Sequence, residues 1–193
     1  DYMEQKSHLP KLMEKLNAVE GLERIRLGSL EPRIITAEFV EKLSGLSKLC
    51  PHFHLSLQSG CDATLKRMNR HYTTAEYADK VALLRNAFPD CAVTTDVITG
   101  FPGETEEEFE KTRQYLESLN LYEMHVFKYS KRHGTKAAVM PNQLTEAVKA
   151  SRSDVLLQMT QMQSEAYRKK FIGKELSVLF EEITIKAEKF MEI

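Results

Sequence analysis

The chain has 193 residues, 42% of them hydrophobic, which suffices for one good core and part of a second. Lys and Arg number 27 against 28 Asp and Glu, so the net charge of -1 excludes a globally basic protein, and any nucleic-acid surface has to be local. The sequence shows neither an apolar run of membrane-spanning length nor a signal-peptide pattern, and we expect a soluble, cytoplasmic protein without membrane contact.

Three cysteines, Cys50, Cys61 and Cys91, are separated by 11 and 30 positions. An odd number at this spacing matches neither a disulfide framework nor a zinc site. We therefore expect thiols that pack as small hydrophobic side chains and bind no metal.

The first part of the chain alternates helices with strands. Apolar residues at three- and four-residue spacing predict an amphipathic helix over residues 9–19 that ends at Gly21, and residues 24–28 alternate as a strand. Thr36 is expected to cap a second helix, and the next strand is predicted over residues 52–57.

The middle of the chain continues this alternation. Asp62 is expected to cap a short helix, and a longer helix opens at Thr74 before a strand over residues 93–98. The helix after that strand begins with a capping box formed by Thr105 and Glu108.

The last part contains one more strand of this series, predicted over residues 125–129. A long helix over residues 144–171 carries apolar residues at heptad-like spacing and ends at Gly173. Residues 176–180 alternate as a strand and indicate a change of architecture.

Strands separated by helical segments of ten or more residues predict an α/β fold with a parallel sheet. The four βα units predicted here are only part of a closed barrel. Either the sheet is small and open, or the N-terminal half of a barrel is absent, and the helical start without a preceding strand favours the second.

A polar loop follows each strand of the predicted sheet. In a parallel sheet such loops meet on one face, where a ligand with hydroxyl, amine and carboxylate groups can be held. The stretch Thr94–Glu104 is the clearest case, because a strand, a Gly-Phe-Pro-Gly loop and a helix N-terminus meet there. Each polar residue can instead cap a helix or bond a loop, which is the commoner role. The residues concerned are Ser29, Glu31, Ser56, Gln58, Ser59, Asp96, Thr99, Tyr129 and Ser130.

Several long motifs, in this order, closely resemble those of the radical-SAM methylthiotransferases. They are Leu57–Asp62 (Leu-Gln-Ser-Gly-Cys-Asp) with Leu65–Thr73, then Asp96–Thr105, then Val126–Ala137. The resemblance covers residues 20–182. The run Tyr129–Met140 and the segment Phe171–Glu175 look most like the branch that modifies tRNA, and the match is closest to enzymes that methylthiolate threonylcarbamoyladenosine beside the anticodon.

The resemblance implies the C-terminal part of a TIM-like, partial (β/α) radical-SAM barrel with parallel strands. Residues 1–143 would belong to that barrel, and residues 144–172 would form a long connecting helix. Residues 173–193 look like the first strands of an incomplete TRAM-like RNA-binding β domain.

The resemblance also implies S-adenosylmethionine and [4Fe–4S] clusters as cofactors of the full-length protein. The family holds its radical-generating cluster on a Cys-x-x-x-Cys-x-x-Cys loop, and this sequence has no such loop. Because the family places the loop after the first barrel strand, we expect a fragment that lacks the N-terminal domain. Such a fragment holds no cluster and cannot by itself cleave S-adenosylmethionine, so no catalytic residue is assigned within it.

Carried over to this sequence, the resemblance places one group of residues at the adenosyl part of the cofactor and another at its methionine part. Arg70 offers a charge-assisted fork for a carboxylate, although a solvated helix face explains this arginine equally well. The expected cofactor-binding residues are Ser56, Gln58, Asp96 and Gly100 at the adenosyl group and Glu31 and Arg70 at the methionine end.

The basic loop over residues 128–136 is the expected tRNA contact. Its charges can meet phosphates, while Tyr129 or His133 can stack on an adenine, and the alternative is a solvated loop. The substrate-binding residues proposed on this basis are Tyr129, Lys131, Arg132 and His133.

The histidines His52 and His54 lie two apart on one strand face. A metal pair is conceivable, but hydrogen-bonded histidines are favoured when no third ligand lies nearby. The sequence therefore predicts no metal site there.

The resemblance implies radical transfer of a methylthio group to C2 of N6-threonylcarbamoyladenosine in the anticodon stem-loop of tRNA. One alternative keeps the family and changes the substrate to a ribosomal-protein side chain. Another is a catalytically inert module that binds RNA or a partner.

Overall fold

The computed structural model describes residues 2–179, with side chains from residue 9 onward. Four strands of a single sheet and six α-helices follow one another along this part of the chain. The strands are β1 (Ser29–Leu30), β2 (His52–Leu55), β3 (Ala92–Thr99) and β4 (Glu123–Lys128). The helices are α1 (Tyr2–Asn17), α2 (Ala37–Ser44), α3 (Asp62–Arg67), α4 (Thr74–Ala87), α5 (Glu106–Leu119) and α6 (Glu146–Lys169). Short 3-10 turns lie at Pro32–Ile34 and Lys136–Val139.

The sheet is parallel throughout, with the strands in the order β1-β2-β3-β4. The prediction of a parallel α/β sheet is therefore confirmed. The register places Asp96 of β3 opposite His125 of β4, and His54 of β2 opposite Thr94 of β3. Side chains alternate between the two faces of each strand, so these four residues share one face.

The other face of the sheet carries the core. Phe53 and Leu55 of β2 and Val97 of β3 are fully buried there, in one cluster with residues from the helices. Tyr77 of α4 is also fully buried and donates its hydroxyl to the Leu55 carbonyl at 2.9 Å. Helices therefore cover one face of the sheet, and its polar face carries the clefts described below.

The predicted helix caps follow local chemistry and are largely confirmed. Thr36 accepts the Phe39 amide, and Thr105 and Glu108 form the expected capping box. The prediction for Asp62 is wrong, since Cys61 occupies the cap position of α3. The Asp62 carboxylate instead accepts the amide of Thr74 at 2.7 Å, which ties α3 to the start of α4.

The N-terminal elements differ from their prediction in extent. The predicted strand over residues 24–28 is reduced to a single bridge between Ile25 and Leu49, and the regular strand follows at Ser29–Leu30. On the first helix, Met13 is buried while Leu12 is 52% exposed. The predicted Leu9 and Leu16 do pack against the core, and Met13 takes the position between them that was expected of Leu12.

The long helix α6 is present, but of the predicted stripe it buries only Met159; the exposed members are Val148, Val155, Met162 and Ala166. Met162 is 65% exposed, whereas Arg152 is buried beside Leu156 and Met159. The reason is tertiary pairing, because the Arg152 guanidinium finds a buried carboxylate on the loop after β3. The helix also packs on the sheet, and Thr160 accepts the Met124 amide of β4 at 2.7 Å.

The structure describes only part of the segment for which a C-terminal strand was predicted. Residues 174–179 form no regular secondary structure, so the expected strand is absent over residues 176–179. Its remainder and the rest of the predicted TRAM-like segment lie outside the described residues. No helix in residues 2–179 is long and apolar enough to cross a membrane.

Candidate functional site

A cleft of about 530 Å³ opens where β2, β3 and β4 end, and we call it the carboxyl-end cleft. Its wall joins the loops after these strands to the last residues of the polar sheet face, as expected of a parallel sheet. The lining residues are Gln58, Asp96, Ile98, Phe127, Lys128, Tyr129, Ser130, Arg132, Thr135 and Ala137. Four residues predicted from the sequence, Gln58, Asp96, Tyr129 and Arg132, thus meet in one place.

Gln58 has an unusual backbone conformation that fixes it in this wall. Its φ is 75°, a left-handed value that costs a non-glycine residue about 1–2 kcal/mol. The conformation is held by two backbone hydrogen bonds, from its amide to the Asp96 carbonyl at 2.8 Å and from the Ile98 amide to its carbonyl at 2.9 Å. Its side chain lines the cleft, and an amide can both donate a hydrogen bond to a ligand and accept one from it.

Tyr129 is buried, although the sequence suggested an exposed stacking platform. Its ring meets Phe101 edge to face at 5.3 Å, and the Lys149 ammonium lies 5.4 Å from the ring centre. The hydroxyl is buried without a hydrogen-bond partner among the described residues. The hydroxyl is therefore an unsatisfied buried polar group on a residue of the cleft wall.

The basic loop after β4 is exposed, and only some of its predicted tRNA-binding residues line the cleft. Arg132 lines the carboxyl-end cleft together with Lys128, whereas Lys131 and His133 lie outside the lining. Two cations therefore lie at the cleft itself, and the remaining basic side chains extend the charge around it.

Glu31, Arg70 and Ser56 lie around Tyr72, beside the clefts. The Tyr72 hydroxyl bonds to the Ser56 and Leu57 carbonyls at 2.9 Å each. Burial raises the pKa of Tyr72, and the charges of Arg70 and Glu31 act on it in opposite directions, which locates both groups nearby. Glu31 and Arg70 do not line the carboxyl-end cleft, and their assignment to the methionine end of the cofactor stays a prediction.

Gly100 lies beneath α6 and lines neither of these clefts. Its φ is 73°, and a Cβ at this position would lie 2.4 Å from Lys149 Cγ. Its amide donates to Glu104 Oε2 at 2.8 Å, so it is already paired. The structure thus gives this glycine a packing role, and its contact with a cofactor stays a prediction.

A second cleft of about 760 Å³ lies on the same sheet face toward the strand starts, and we call it the inner-face cleft. Its residues are Arg26, Leu27, Gly28, Ser29, His52, His54, Thr94, Asp96, Tyr122, Glu123 and His125. Asp96 belongs to both clefts. The Ser56 hydroxyl donates to this carboxylate at 3.3 Å.

The histidines of this cleft differ from their prediction. His54 has two potential partners close by, since Asp96 and His125 place ligand atoms within 4.8 Å of one another and of His54. The expectation that no third ligand lies nearby is therefore wrong. His52 is outside this group, and burial and the Arg26 charge lower its pKa to about 4. Sequence reasoning missed His125, whose only signal was its position on the next strand.

The chain belongs to the Radical SAM superfamily, whose family model matches residues 5–116. Among curated proteins it is 42% identical over 171 residues to the tRNA-2-methylthio-N(6)-dimethylallyladenosine synthase of Caldicellulosiruptor saccharolyticus. It is 43% identical over 173 residues to the threonylcarbamoyladenosine tRNA methylthiotransferase of Bacillus subtilis. These alignments cover 89% of the chain in both cases but only 36% and 38% of the relatives.

Solved structures agree on the fold. Coproporphyrinogen III oxidase from Escherichia coli superimposes with a TM-score of 0.62 over 83% of this chain and 37% of its own, at 18% identity. The radical S-adenosylmethionine methyltransferase TsrM from Kitasatospora setae gives 0.52 over 63% and 24%, also at 18% identity. The radical-SAM type of partial barrel predicted from the sequence is thereby confirmed.

The superfamily uses S-adenosylmethionine and a [4Fe–4S] cluster, and the chain fits these two groups differently. The carboxyl-end cleft has the volume of a small-molecule site, about 300–1,000 Å³, and its lining includes the Gln58 amide and the Asp96 carboxylate. Cys50, Cys61 and Cys91 are free thiols, and within the described residues none joins a group of three metal donors. The residues present thus fit S-adenosylmethionine and do not fit a three-cysteine cluster.

Proposed function

We propose that this chain is part of a radical S-adenosylmethionine enzyme that adds a methylthio group to C2 of N6-threonylcarbamoyladenosine in tRNA, beside the anticodon. The relatives described above, which are named as tRNA-modifying enzymes, support a tRNA methylthiotransferase. The run from Tyr129 to Met140 resembles the tRNA-modifying branch, within which the sequence is most similar to the threonylcarbamoyl enzymes. The observation that carries the proposal is the meeting of Gln58, Asp96 and Tyr129 in one cleft with a basic rim.

The carboxyl-end cleft is the proposed seat of S-adenosylmethionine, which supplies radical chemistry when it is bound to a reduced cluster. The Gln58 amide can both donate to and accept from the adenine edge. Asp96, held by the Ser56 hydroxyl, can accept hydrogen bonds from ribose hydroxyls. These groups bind and orient the cofactor, and the chemistry belongs to the cofactor itself.

The basic loop is the proposed tRNA contact, with Lys128 and Arg132 at the cleft and Lys131 and His133 beyond it. Phosphate contacts of this kind position an RNA and make its affinity fall with salt. An anticodon stem-loop also offers unstacked bases to an exposed apolar side chain, and Phe127 at the cleft is 54% exposed.

Dimethylallyladenosine in tRNA is the second candidate substrate. It is favoured by the relatives named as dimethylallyladenosine synthases, which reach the same identity of about 42–43% as the threonylcarbamoyl enzyme. The two modified bases differ at N6, where one carries a carboxylate and the other an apolar group. A cationic contact such as Arg132 favours the carboxylate.

Calorimetric titration of the 193-residue chain with S-adenosylmethionine tests the cofactor site. We expect the Gln58→Ala variant to bind about tenfold more weakly, because removal of a hydrogen-bonding partner leaves polar ligand atoms unpaired. Gln161→Ala is the matched control, since Gln161 is an exposed residue of α6. Equal affinities of the two variants contradict the assignment.

The substrate is tested with the whole enzyme that contains this chain, its clusters reconstituted. Anticodon stem-loops carrying either N6-threonylcarbamoyladenosine or N6-dimethylallyladenosine are incubated separately, and digested nucleosides are examined by mass spectrometry for a methylthio group. Modification of the threonylcarbamoyl substrate alone supports the proposal. Modification of the dimethylallyl substrate alone establishes the second candidate, and modification of neither refutes both.

A further inference from the structure

We propose that His54, Asp96 and His125 form a binding site for a divalent transition-metal ion on the polar face of the sheet. The site lies in the inner-face cleft and is made by three adjacent parallel strands. It does not rest on the proposed function, because its donors are histidine and carboxylate groups rather than the cysteines that hold iron–sulfur clusters.

The spacing of the donor atoms suits such an ion. Asp96 Oδ2 lies 3.2 Å from His54 Nε2, and Asp96 Oδ1 lies 3.4 Å from His125 Nδ1. In a tetrahedral zinc site with bonds of about 2.0–2.2 Å, neighbouring ligand atoms are roughly 3.3–3.6 Å apart. The 3.4 Å separation falls within this range and the 3.2 Å separation lies just below it, so small adjustments bring the three side chains around one ion.

Within the described residues, hydrogen bonding leaves one buried atom of this group without a partner. His54 is 7% exposed, and its Nε2 atom is buried without a hydrogen-bond partner although it faces the Asp96 carboxylate. The two imidazole rings stack at 5.3 Å and 27°, which turns their edges toward the same carboxylate. A buried nitrogen and an acceptor oxygen that face each other without a bond are satisfied by a cation between them.

The surroundings prepare His54 as a ligand. Its Nδ1 atom lies 3.0 Å from Thr94 Oγ1, so a proton on Nδ1 can be donated to the hydroxyl. This bond leaves the lone pair of Nε2 directed at the Asp96 carboxylate, the arrangement found for metal-bound histidines. Ser56 likewise holds Asp96 through a hydrogen bond.

The donor set indicates the class of ion. Two imidazoles and one carboxylate suit Zn²⁺, Fe²⁺ or Co²⁺, whereas Mg²⁺ and Ca²⁺ prefer oxygen ligands. Three protein ligands leave a further position open toward the cleft, as in catalytic rather than structural sites. Arg26 and Glu123, of opposite charge, also line this cleft and offset each other.

The site is tested by Co²⁺ titration of the metal-free 193-residue chain, followed by visible absorption and by displacement with Zn²⁺. We expect one equivalent of Co²⁺ to bind, Zn²⁺ to displace it, and Mg²⁺ to leave it in place. His125→Gln and Asp96→Asn should each weaken Co²⁺ binding at least about tenfold. His71→Gln, at an exposed histidine in the turn between α3 and α4, should bind as the unaltered chain does.

Substitution of His125 keeps the test interpretable, because this side chain is 50% exposed and its replacement need not disturb the core. Circular dichroism establishes that each variant is folded. Co²⁺ that binds equally tightly to the chain and to both site variants, for instance through thiols, overturns the assignment. The absence of saturable binding below about 1 mM overturns it as well.

Discussion

The loop after β3 is joined to α6 by a buried ion pair, and breaking that pair gives a sharp prediction. Arg152 donates to Glu104 Oε2 at 2.7 Å and to the Glu104 carbonyl at 3.0 Å, and its other nitrogen reaches Glu106 at 2.9 Å. The side chains of Glu104 and Arg152 are 1% and 7% exposed. The Arg152→Met substitution removes the guanidinium, including its position 5.2 Å from the centre of the Phe109 ring, and leaves the Glu104 carboxylate with the Gly100 amide as its remaining partner among the described residues.

The expected cost is about 3–5 kcal/mol in the free energy of unfolding at pH 8, the usual range for removing one partner of a buried pair. The contact with Glu106 adds little, because that carboxylate is 81% exposed and screened by water. A domain of this size has a total stability of about 5–15 kcal/mol, so the variant should remain folded but visibly weakened.

The deficit should depend on pH. Burial already raises the pKa of Glu104 above its usual value, against the opposing effects of the Gly100 amide and Arg152. Without Arg152 the folded-state pKa rises further. A raised pKa contributes stability that is present below the unfolded-state pKa and is lost as the pH rises through the folded value. The variant should therefore be closest to the unaltered chain near pH 5 and furthest from it near pH 8.

Urea denaturation followed by circular dichroism at both pH values measures this. The matched control is the double variant Glu104→Gln/Arg152→Met, which removes both charges and should recover at least half of the deficit at pH 8. A deficit for Arg152→Met below about 1 kcal/mol at pH 8, or one that does not change with pH, would refute the reasoning.

Two further predictions concern the backbone and the thiols. Gly100→Ala should lower the free energy of unfolding by about 3 kcal/mol, and Gly21→Ala by only about 1 kcal/mol. Both glycines have a positive φ, but only a Cβ at residue 100 would meet Lys149. Equal losses of stability in urea denaturation would argue against this clash. Iodoacetamide should alkylate half-buried Cys50 at least about tenfold faster than Cys91, because Cys91 is buried and burial raises the pKa of its thiol. The two rates are measured by peptide mass spectrometry, and in urea they should be equal. Equal rates in the folded chain would contradict the prediction.

Local chemistry explains what could be predicted from the sequence. A threonine cap needs only its own helix start, so Thr36 and Thr105 were identified correctly. The alternation of β-branched runs with long helical segments likewise forces parallel pairing, because such connections are too long for hairpins. The meeting of Gln58, Asp96 and Tyr129 then follows, since the carboxyl ends of parallel strands share one edge.

Tertiary partners explain what could not be predicted. The buried face of α6 contains Arg152 because Glu104, nearly fifty residues away, neutralises it, and apolar periodicity carries no record of that pairing. Gly100 resembles a ligand-binding glycine, but its missing Cβ makes room for Lys149. The grouping of His54 with His125 depends on the registers of β2 and β4 with β3, which residue spacing along the chain does not specify.

Asp96 connects the two proposed binding sites through its charge. Asp96 lines both clefts. A divalent ion bound in the inner-face cleft would therefore make the Asp96 carboxylate a weaker hydrogen-bond acceptor for a ligand in the carboxyl-end cleft. Linkage then requires that the ion and S-adenosylmethionine change each other's affinity by the same factor. Asp96→Asn alone cannot separate the sites, whereas Gln58 lines only the first cleft and His125 only the second. Loss of cofactor binding in Gln58→Ala with intact Co²⁺ binding, and the converse in His125→Gln, therefore distinguishes two coupled sites from one.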